Sequence, residues 1–457
     1  MAMKPSRYHA LSGTTLRSGR VPDSKQKEVK KMTYIEFFDK DHIENICSSI
    51  LKTPEKVILF GDSAKHMRAH AKRYSDIMKD RGADVEFVCR SVRRNSVSDM
   101  TRELSSIVGS GGDFVIDLTG GEDLFLVAAG MTAERYRDRP VQLQRFNIRS
   151  SIETDVDEDS NMFMPTDEAK ISVEENIRIY GGDVVFAEER AGATYRWDMS
   201  PGFRQDIRSM WDICRKDPGL WNIHANVFDT ADRYISPEEG RLAVCVPEEQ
   251  LKNEVRRQGR KYVFSYEQVI GGLVSAGVLR SFSCKDGLIT YEYRDGQVRR
   301  CLTSAGRTLE MKIYLTALEA RESSGEPTYS DAMTGVFIDW DGRTGPDSGR
   351  YGTENEIDVM MMHGMVPVFV SCKNGVVDID ELYKLNTVAG RFGGKYAKKV
   401  LVASSLDEND NSGHLRQRAK DMGIRIFDGF SRYGVVKSFT EMDDEELSAA
   451  VRTFWSD

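Results

Sequence analysis

Paired cysteines are missing from this chain of 457 residues: its seven cysteines stand at 47, 89, 214, 245, 284, 301 and 372. Without a C-x-x-C pair a structural zinc site has no scaffold. An odd, scattered count with no leader-like segment sets the expectation of a reducing, cytoplasmic setting. Long apolar runs are missing too. None approaches the roughly 20 residues that cross a bilayer, so no membrane partner is expected. The longest, Leu124 to Met131, reads as a buried helix. Proline is sparse at 12 residues, and with 40% hydrophobic and 30% charged side chains the composition excludes a disordered or fibrous chain. Excess positive charge is also lacking, since the formal net charge is −8. Any contact with nucleic acid must then rely on local patches. Four exist, at Lys65 to Arg73, Arg90 to Arg94, Arg391 to Lys399 and Arg416 to Lys420, and each also reads as a solvated helix face.

What is present is an alternating pattern. The length suits two to four domains. Residues 1–31 are polar and basic and read as a flexible extension. Strands are expected over 33–38, 56–60, 84–89 and 113–118. Helices are expected over 41–51, from 64 to about 81, and over 98–108 and 124–136. Strands and helices alternating at these lengths predict a parallel, Rossmann-like sheet, with ligands at the carboxyl ends of its strands. The acidic stretch 151–168 reads as a loop. Order resumes over 171–186, and a helical linker passes Trp211 and Trp221.

Between 240 and 300 the pattern changes to helix (247–258), helix (265–275) and hairpin. The hairpin runs 279–283, turns at Lys285-Asp286-Gly287, and returns over 288–294. Asp-Gly suits a tight hairpin turn, and the order resembles a winged helix, which serves either as a nucleic-acid reader or as a spacer. From 303 a last α/β segment is expected. Its helices fall at 304–320, 379–392, 413–421 and 441–454, and its strands at 335–340, 356–361, 367–372, 399–404 and 425–427.

The densest chemistry is E-N-E-I-D-V at 354–359 followed by F-V-S-C-K-N at 369–374. Alternation along a strand puts Glu354, Glu356 and Asp358 on one face. Three carboxylates there repel unless a cation neutralises them, and an oxygen-loving divalent ion such as Mg²⁺ is the usual partner. Lys373 lies one hairpin away, where an ammonium can orient a water or offset charge on a phosphorane-like transition state. Glu310 sits upstream on a helix, in G-R-T-L-E. Asp339 and Asp341 read as loop formers with a secondary claim as ligands, and His363 as a turn residue. A second motif is D-L-T-G-G-E-D-L at 117–124. There a strand ends in a Thr-Gly-Gly turn and a helix begins, so backbone N–H groups face whatever binds. Glu122 and Asp123 suit the helix dipole without any ligand, and suit adenine or ribose groups better than phosphate.

The Gly-x-x-x-Glu helix, the hairpin Asp and the Lys resemble the PD-(D/E)xK nuclease superfamily. That resemblance implies catalytic roles for Glu310, Asp358 and Lys373 around a Mg²⁺ or Mn²⁺ ion. Its ligands would come from Glu310, Glu356, Asp358 and the main-chain carbonyl of Cys372. The family often carries Glu where this chain has Ser371, a weak metal ligand. Taken with the Thr119-Gly120-Gly121 turn, the winged-helix-like segment and N-E-I-D-V…S-C-K-N-G, the chain resembles the CARF-domain nucleases that accompany type III CRISPR systems. The resemblance implies an α/β chain with a Rossmann-like CARF domain at 32–190, a linker and winged-helix-like segment at 191–300, and a nuclease domain at 301–457. It also implies a homodimer that binds cyclic oligoadenylate, cyclic tetra-adenylate by analogy, and then cuts RNA, single-stranded DNA or both. Carried onto this chain, the activator pocket comprises Phe38, Asp39, Gly61, Asp62, Ser63, Ser91, Arg93, Thr119, Gly120, Gly121, Glu122 and Asp123. The competing reading is a nucleotide-responsive winged-helix regulator of DNA that does not cut.

Overall fold

The computed structural model describes residues 32–457 except 165–167, 187–191, 236–241, 342–353, 405, 407–409, 433–434 and 457. The side chains of 354, 410–412, 430–432 and 435–436 also lie outside the description. The expected extension at 1–31 and the side chain of Glu354 fall outside it as well.

The first part alternates β1 (Met32–Phe37), α1 (Cys47–Lys52), β2 (Lys56–Gly61), α2 (Ala64–Asp80), β3 (Glu86–Ser91), α3 (Val97–Gly109), β4 (Asp113–Asp117), α4 (Asp123–Arg135) and β5 (Val141–Asn147). A hairpin of β6 (Ile152–Asp155) and β7 (Ser160–Phe163) follows. These seven strands form one sheet in the order β3-β2-β1-β4-β5-β6-β7. Its first five strands are parallel and the hairpin is antiparallel. Alternation drives this. Tyr34, Val57, Leu59 and Val115 enter one core, while Ile35, Ile58, Phe60 and Ile116 enter the other, beneath α3 and α4. The expected acidic loop at 151–168 is corrected here: much of it is strand, β6 and β7.

The expected buried helix at Leu124 to Met131 is also corrected. α4 buries Phe125, Ala128, Ala129 and Thr132, but Leu124, Leu126, Val127 and Met131 are exposed. Among the described residues no helix is long and apolar enough to cross a membrane.

Next come α5 (Val173–Ile179), β8 (Asp183–Val184), α6 (Pro201–Cys214), α7 (Pro218–Ala231), β9 (Ala243–Pro247), α8 (Glu248–Arg257), α9 (Gly271–Ser275), β10 (Leu279–Lys285), β11 (Leu288–Tyr293) and α10 (Gly296–Leu302). The helix, helix, hairpin order is present, and β9 joins the hairpin as a third strand. Asp286 and Gly287 both take positive φ in its turn, as an Asp-Gly hairpin requires.

The last part holds α11 (Arg307–Glu319), β12 (Asp331–Asp339), β13 (Glu354–His363), β14 (Val366–Lys373), α12 (Ile379–Gly393), β15 (Lys398–Ala403), α13 (Asp410–Asp421) and β16 (Ile424–Phe427). The small hairpin of β17 (Gly429–Arg432) and β18 (Val435–Ser438) precedes α14 (Asp444–Val451). Its sheet runs β16-β15-β14-β13-β12-β8. One face packs on α11 and α14. The other, through Met360, Met362, Phe369 and Leu401, shares a continuous core with the first sheet, α2, α5 and α12. The two sheets therefore bracket one apolar layer and are not beads on a linker.

Candidate functional site

Glu310 lies in the first turn of α11 and is buried. The Nη1 of Arg307 donates to its Oε2 at 2.6 Å, and Nη2 reaches Glu356 Oε1 at 3.4 Å. Space for that guanidinium comes from β12. Gly335 there has φ +58, and a Cβ on it would stand 2.6 Å from Arg307 Nη1. Opposite Gly335 the alternation of β13 breaks. Ile357 packs in the core between the sheets, and Val359, two residues on, packs in the core beneath α11. The simple shared-face argument for Glu354, Glu356 and Asp358 is thus replaced by a local change of face at Asp358. Glu356 and Glu310 meet through Arg307 instead.

Asp358 is held from the neighbouring strand. Its Oδ2 accepts the Cys372 N–H at 2.6 Å and the Ser371 hydroxyl at 3.2 Å. Ser371 acts here as a donor that aims Asp358. Lys373, at the end of β14, places its Nζ 3.7 Å from Asp358 Oδ2 and 2.9 Å from Glu381 Oε2. Burial opposes the charge of Lys373, but Asp358 and Glu381 hold its pKa above the ordinary value. The structure therefore brings Glu310, Glu356, Asp358 and Lys373 together at one end of the second sheet. Sequence reasoning missed Arg307 and Glu381, whose partners are visible only after folding. His363 is structural: its ring stacks on Trp455 at 3.7 Å and its Nδ1 pairs with the Thr328 carbonyl.

Burial, with repulsion from Asp358 and Glu356, raises the pKa of Glu310 from 4.5 to about 8, against the pull of Arg307 and Lys373. Between those values the folded protein holds a proton that the unfolded chain has released, so stability falls as pH rises through this window. Glu310→Gln, which never ionises, is expected to melt several °C above wild type at about pH 9, and level with it near pH 5, in metal-free thermal scans. Equal melting at both pH values would refute the buried charge.

A carboxyl kept neutral by burial and by facing carboxylates is what a hard divalent cation would ionise. The donor set, carboxylates plus the Cys372 carbonyl, is of the oxygen type that Mg²⁺ and Mn²⁺ take. Among the described residues the tightest acidic group is elsewhere: Asp39, Asp41 and Glu44. There the Lys395 ammonium, 2.8 Å from Glu44 and 3.8 Å from Asp41, already supplies the opposing charge.

The second set of sequence candidates lies at the adjacent ends of β3, β2, β1 and β4. These ends interlock. Gly121 N–H faces Asp39 Oδ2 at 3.4 Å, Phe38 N–H bonds the Phe60 carbonyl at 2.7 Å, and Ala64 N–H bonds Ser91 Oγ at 3.2 Å. Asp62 and Ser63 follow Gly61, and the Ser63 hydroxyl caps α2. Arg93 is held by Asp99 and Glu122 by Arg94. The Thr119 hydroxyl donates to Asp117 at 2.5 Å and accepts from Phe146 N–H at 2.8 Å. Thr119 therefore ties β4 to β5, and its own N–H also donates to Asp117 Oδ1, at 2.8 Å. Asp123 opens α4. His66 and Asn45 were not anticipated. The His66 ring lies 5.6 Å from Phe38, and Asn45 accepts from Asp39 N–H at 2.7 Å.

No known family description matches the chain, and no curated protein does. Solved structures do. Protein VC1899 from Vibrio cholerae matches with a TM-score of 0.65 and 17% identity, over 93% of this chain and 96% of its own. Can2 from Sulfobacillus thermosulfidooxidans, solved with cyclic tetra-adenylate, matches at 0.58 and 14%, over 86% of this chain and 95% of its own. A type III CRISPR defence DNA nuclease activated by cyclic oligoadenylate overlaps more loosely, at 0.48 and 14%, over 91% of this chain and 51% of its own. With a parallel Rossmann-like sheet packed on a mixed sheet that carries Asp358 and Lys373, beside the helix that carries Glu310, the chain has the fold shared by VC1899 and Can2.

Proposed function

We propose that this chain is an endonuclease of antiviral defence, dependent on Mg²⁺ or Mn²⁺, that cuts RNA, single-stranded DNA or both when cyclic tetra-adenylate occupies the strand ends of the first sheet. One observation carries the reading: Glu310, Asp358 and Lys373, 63 residues apart in the chain at their extremes, converge with Glu356 at one sheet end. The cyclic tetra-adenylate on Can2 supports the choice of activator.

Glu310, Asp358 and the Cys372 carbonyl would hold the cation, with Glu356 beside them. When bound, it supplies positive charge against the scissile phosphate. Lys373, fixed between Asp358 and Glu381, orients the attacking water and offsets the charge that develops on the phosphate. Arg307 balances the carboxylates and keeps Glu310 aimed. A homodimer is part of the proposal. The exposed Leu124, Val127 and Met131 share one face of α4, directly after the Thr-Gly-Gly turn. A two-fold ligand across such a face would take equal contacts from each copy.

The test mixes the protein with single-stranded RNA and DNA, with and without Mn²⁺ and cyclic tetra-adenylate. Cutting is expected only with both, and is expected to vanish in Lys373→Ala. Intact substrate throughout, with a sequence-specific footprint on duplex DNA, would replace this reading with the regulator.

A further inference from the structure

Two basic stretches far apart in sequence, 391–399 and 416–420, contribute to one groove of about 530 Å³. It opens at the starting ends of β15 and β16, where Lys398, Lys399 and Arg425 stand. Arg416 and Lys420 of α13 line it, as does Arg149 from beyond β5. Lys395 is a seventh cation, and among the described lining residues none is acidic. In a chain of net charge −8 this is a marked segregation.

Five of these cations have defined partners. Arg149 donates to the Lys395 carbonyl at 3.0 Å. Arg425 donates to the Thr453 carbonyl at 3.0 Å and lies over the Phe454 ring. Lys399 bonds Asn386 Oδ1 at 2.8 Å and the Met422 carbonyl. Arg416 and Lys395 also have acidic partners, Asp428 and Glu44. Val400, Ile424 and Phe454 form the buried floor of the groove, and Ile426 is partly exposed in it. Cations spaced along a groove track the repeating charges of a phosphate backbone. Seven cations spread along one groove suit a chain of phosphates better than a single inorganic phosphate.

The groove is apart from the cutting centre. β15 runs beside β14 with Lys398 next to Val368 and Ala403 next to Lys373. At ~3.3 Å per residue the separation along the strands is about 16 Å. We propose that this groove binds the backbone of single-stranded nucleic acid, as a track that extends the substrate contact beyond the catalytic residues. It rests on the nuclease reading for calling the strand a substrate, and binding itself does not need cutting.

The test is fluorescence anisotropy with labelled single strands of about 30 nucleotides in EDTA. Wild type is compared with the double variant Lys398→Glu, Lys420→Glu. Affinity is expected to fall at least ~10-fold, and the slope of log affinity against log salt to drop by about 1.4, at ~0.7 per phosphate contact. Photo-crosslinking of 4-thiouridine strands to wild type, which needs no variant, is expected to label peptides carrying Lys399 or Arg425. Unchanged affinity and slope, or crosslinks only elsewhere, overturn the track. Displacement of the strand by polyglutamate or inorganic phosphate at matched charge overturns the choice of occupant. Wild-type cutting assays separate the two readings: groove binding that is present while wild type cuts under no condition sinks the nuclease and leaves the track.

Discussion

Asp358→Asn is expected to lower the single-turnover cutting rate at saturating Mn²⁺ and activator by at least ~10³-fold, while the protein stays folded. At 1.36 kcal/mol per decade that is ~4 kcal/mol of lost transition-state stabilisation. The change is nearly isosteric. An amide oxygen can still accept the Cys372 N–H and the Ser371 hydroxyl that now hold the carboxylate. What disappears is the negative charge that faces Lys373 at 3.7 Å and would face the cation. Melting close to wild type with cutting abolished would fit a chemical role. A rate within tenfold of wild type would move the centre elsewhere.

Gly121→Val is expected to weaken cyclic tetra-adenylate binding by about 10²-fold or more in calorimetry, with Mn²⁺ binding at the second sheet unchanged. Gly121 has φ +103, where a β-branched residue is strained, and an added Cβ would stand 2.9 Å from Phe125 and 3.0 Å from Phe37. Strain of ~1–3 kcal/mol and overpacking of similar size both push the turn away from Asp39. A loss of ~3 kcal/mol is roughly two decades in affinity. Wild-type affinity in this variant would mean the ligand does not use the turn.

Much of the first sheet was legible, because Tyr34, Ile35, Val57, Ile58, Leu59 and Phe60 obey period two and face two cores. The hairpin over 151–168 was not. β7 is exposed at every position and β6 half-buried throughout, so neither carries an apolar rhythm. α4 misled in the opposite way: an apolar run implied burial, and one side of it faces solvent. At the proposed cutting centre the acids and lysine were readable as chemistry. Arg307 was hidden because its place depends on Gly335, a residue of positive φ in a strand whose partner is not set by composition. The contacts of Glu44 with Lys395 and Tyr396 cross some 350 positions of chain, a separation no local pattern records.

α12 has a consequence of its own. Its first turn carries Glu381, which grips Lys373, and just past its last residue Lys395 and Tyr396 grip Asp41 and Glu44 behind Asp39. Fifteen helical residues make a rod of about 22 Å between the two grips. Anything that displaces the end of β1 must either release Lys395 or pull on this rod, and the far end of the rod is the counter-charge of Lys373. Occupancy of one sheet can thus be felt as a change of electrostatic posture in the other without any backbone unfolding between them.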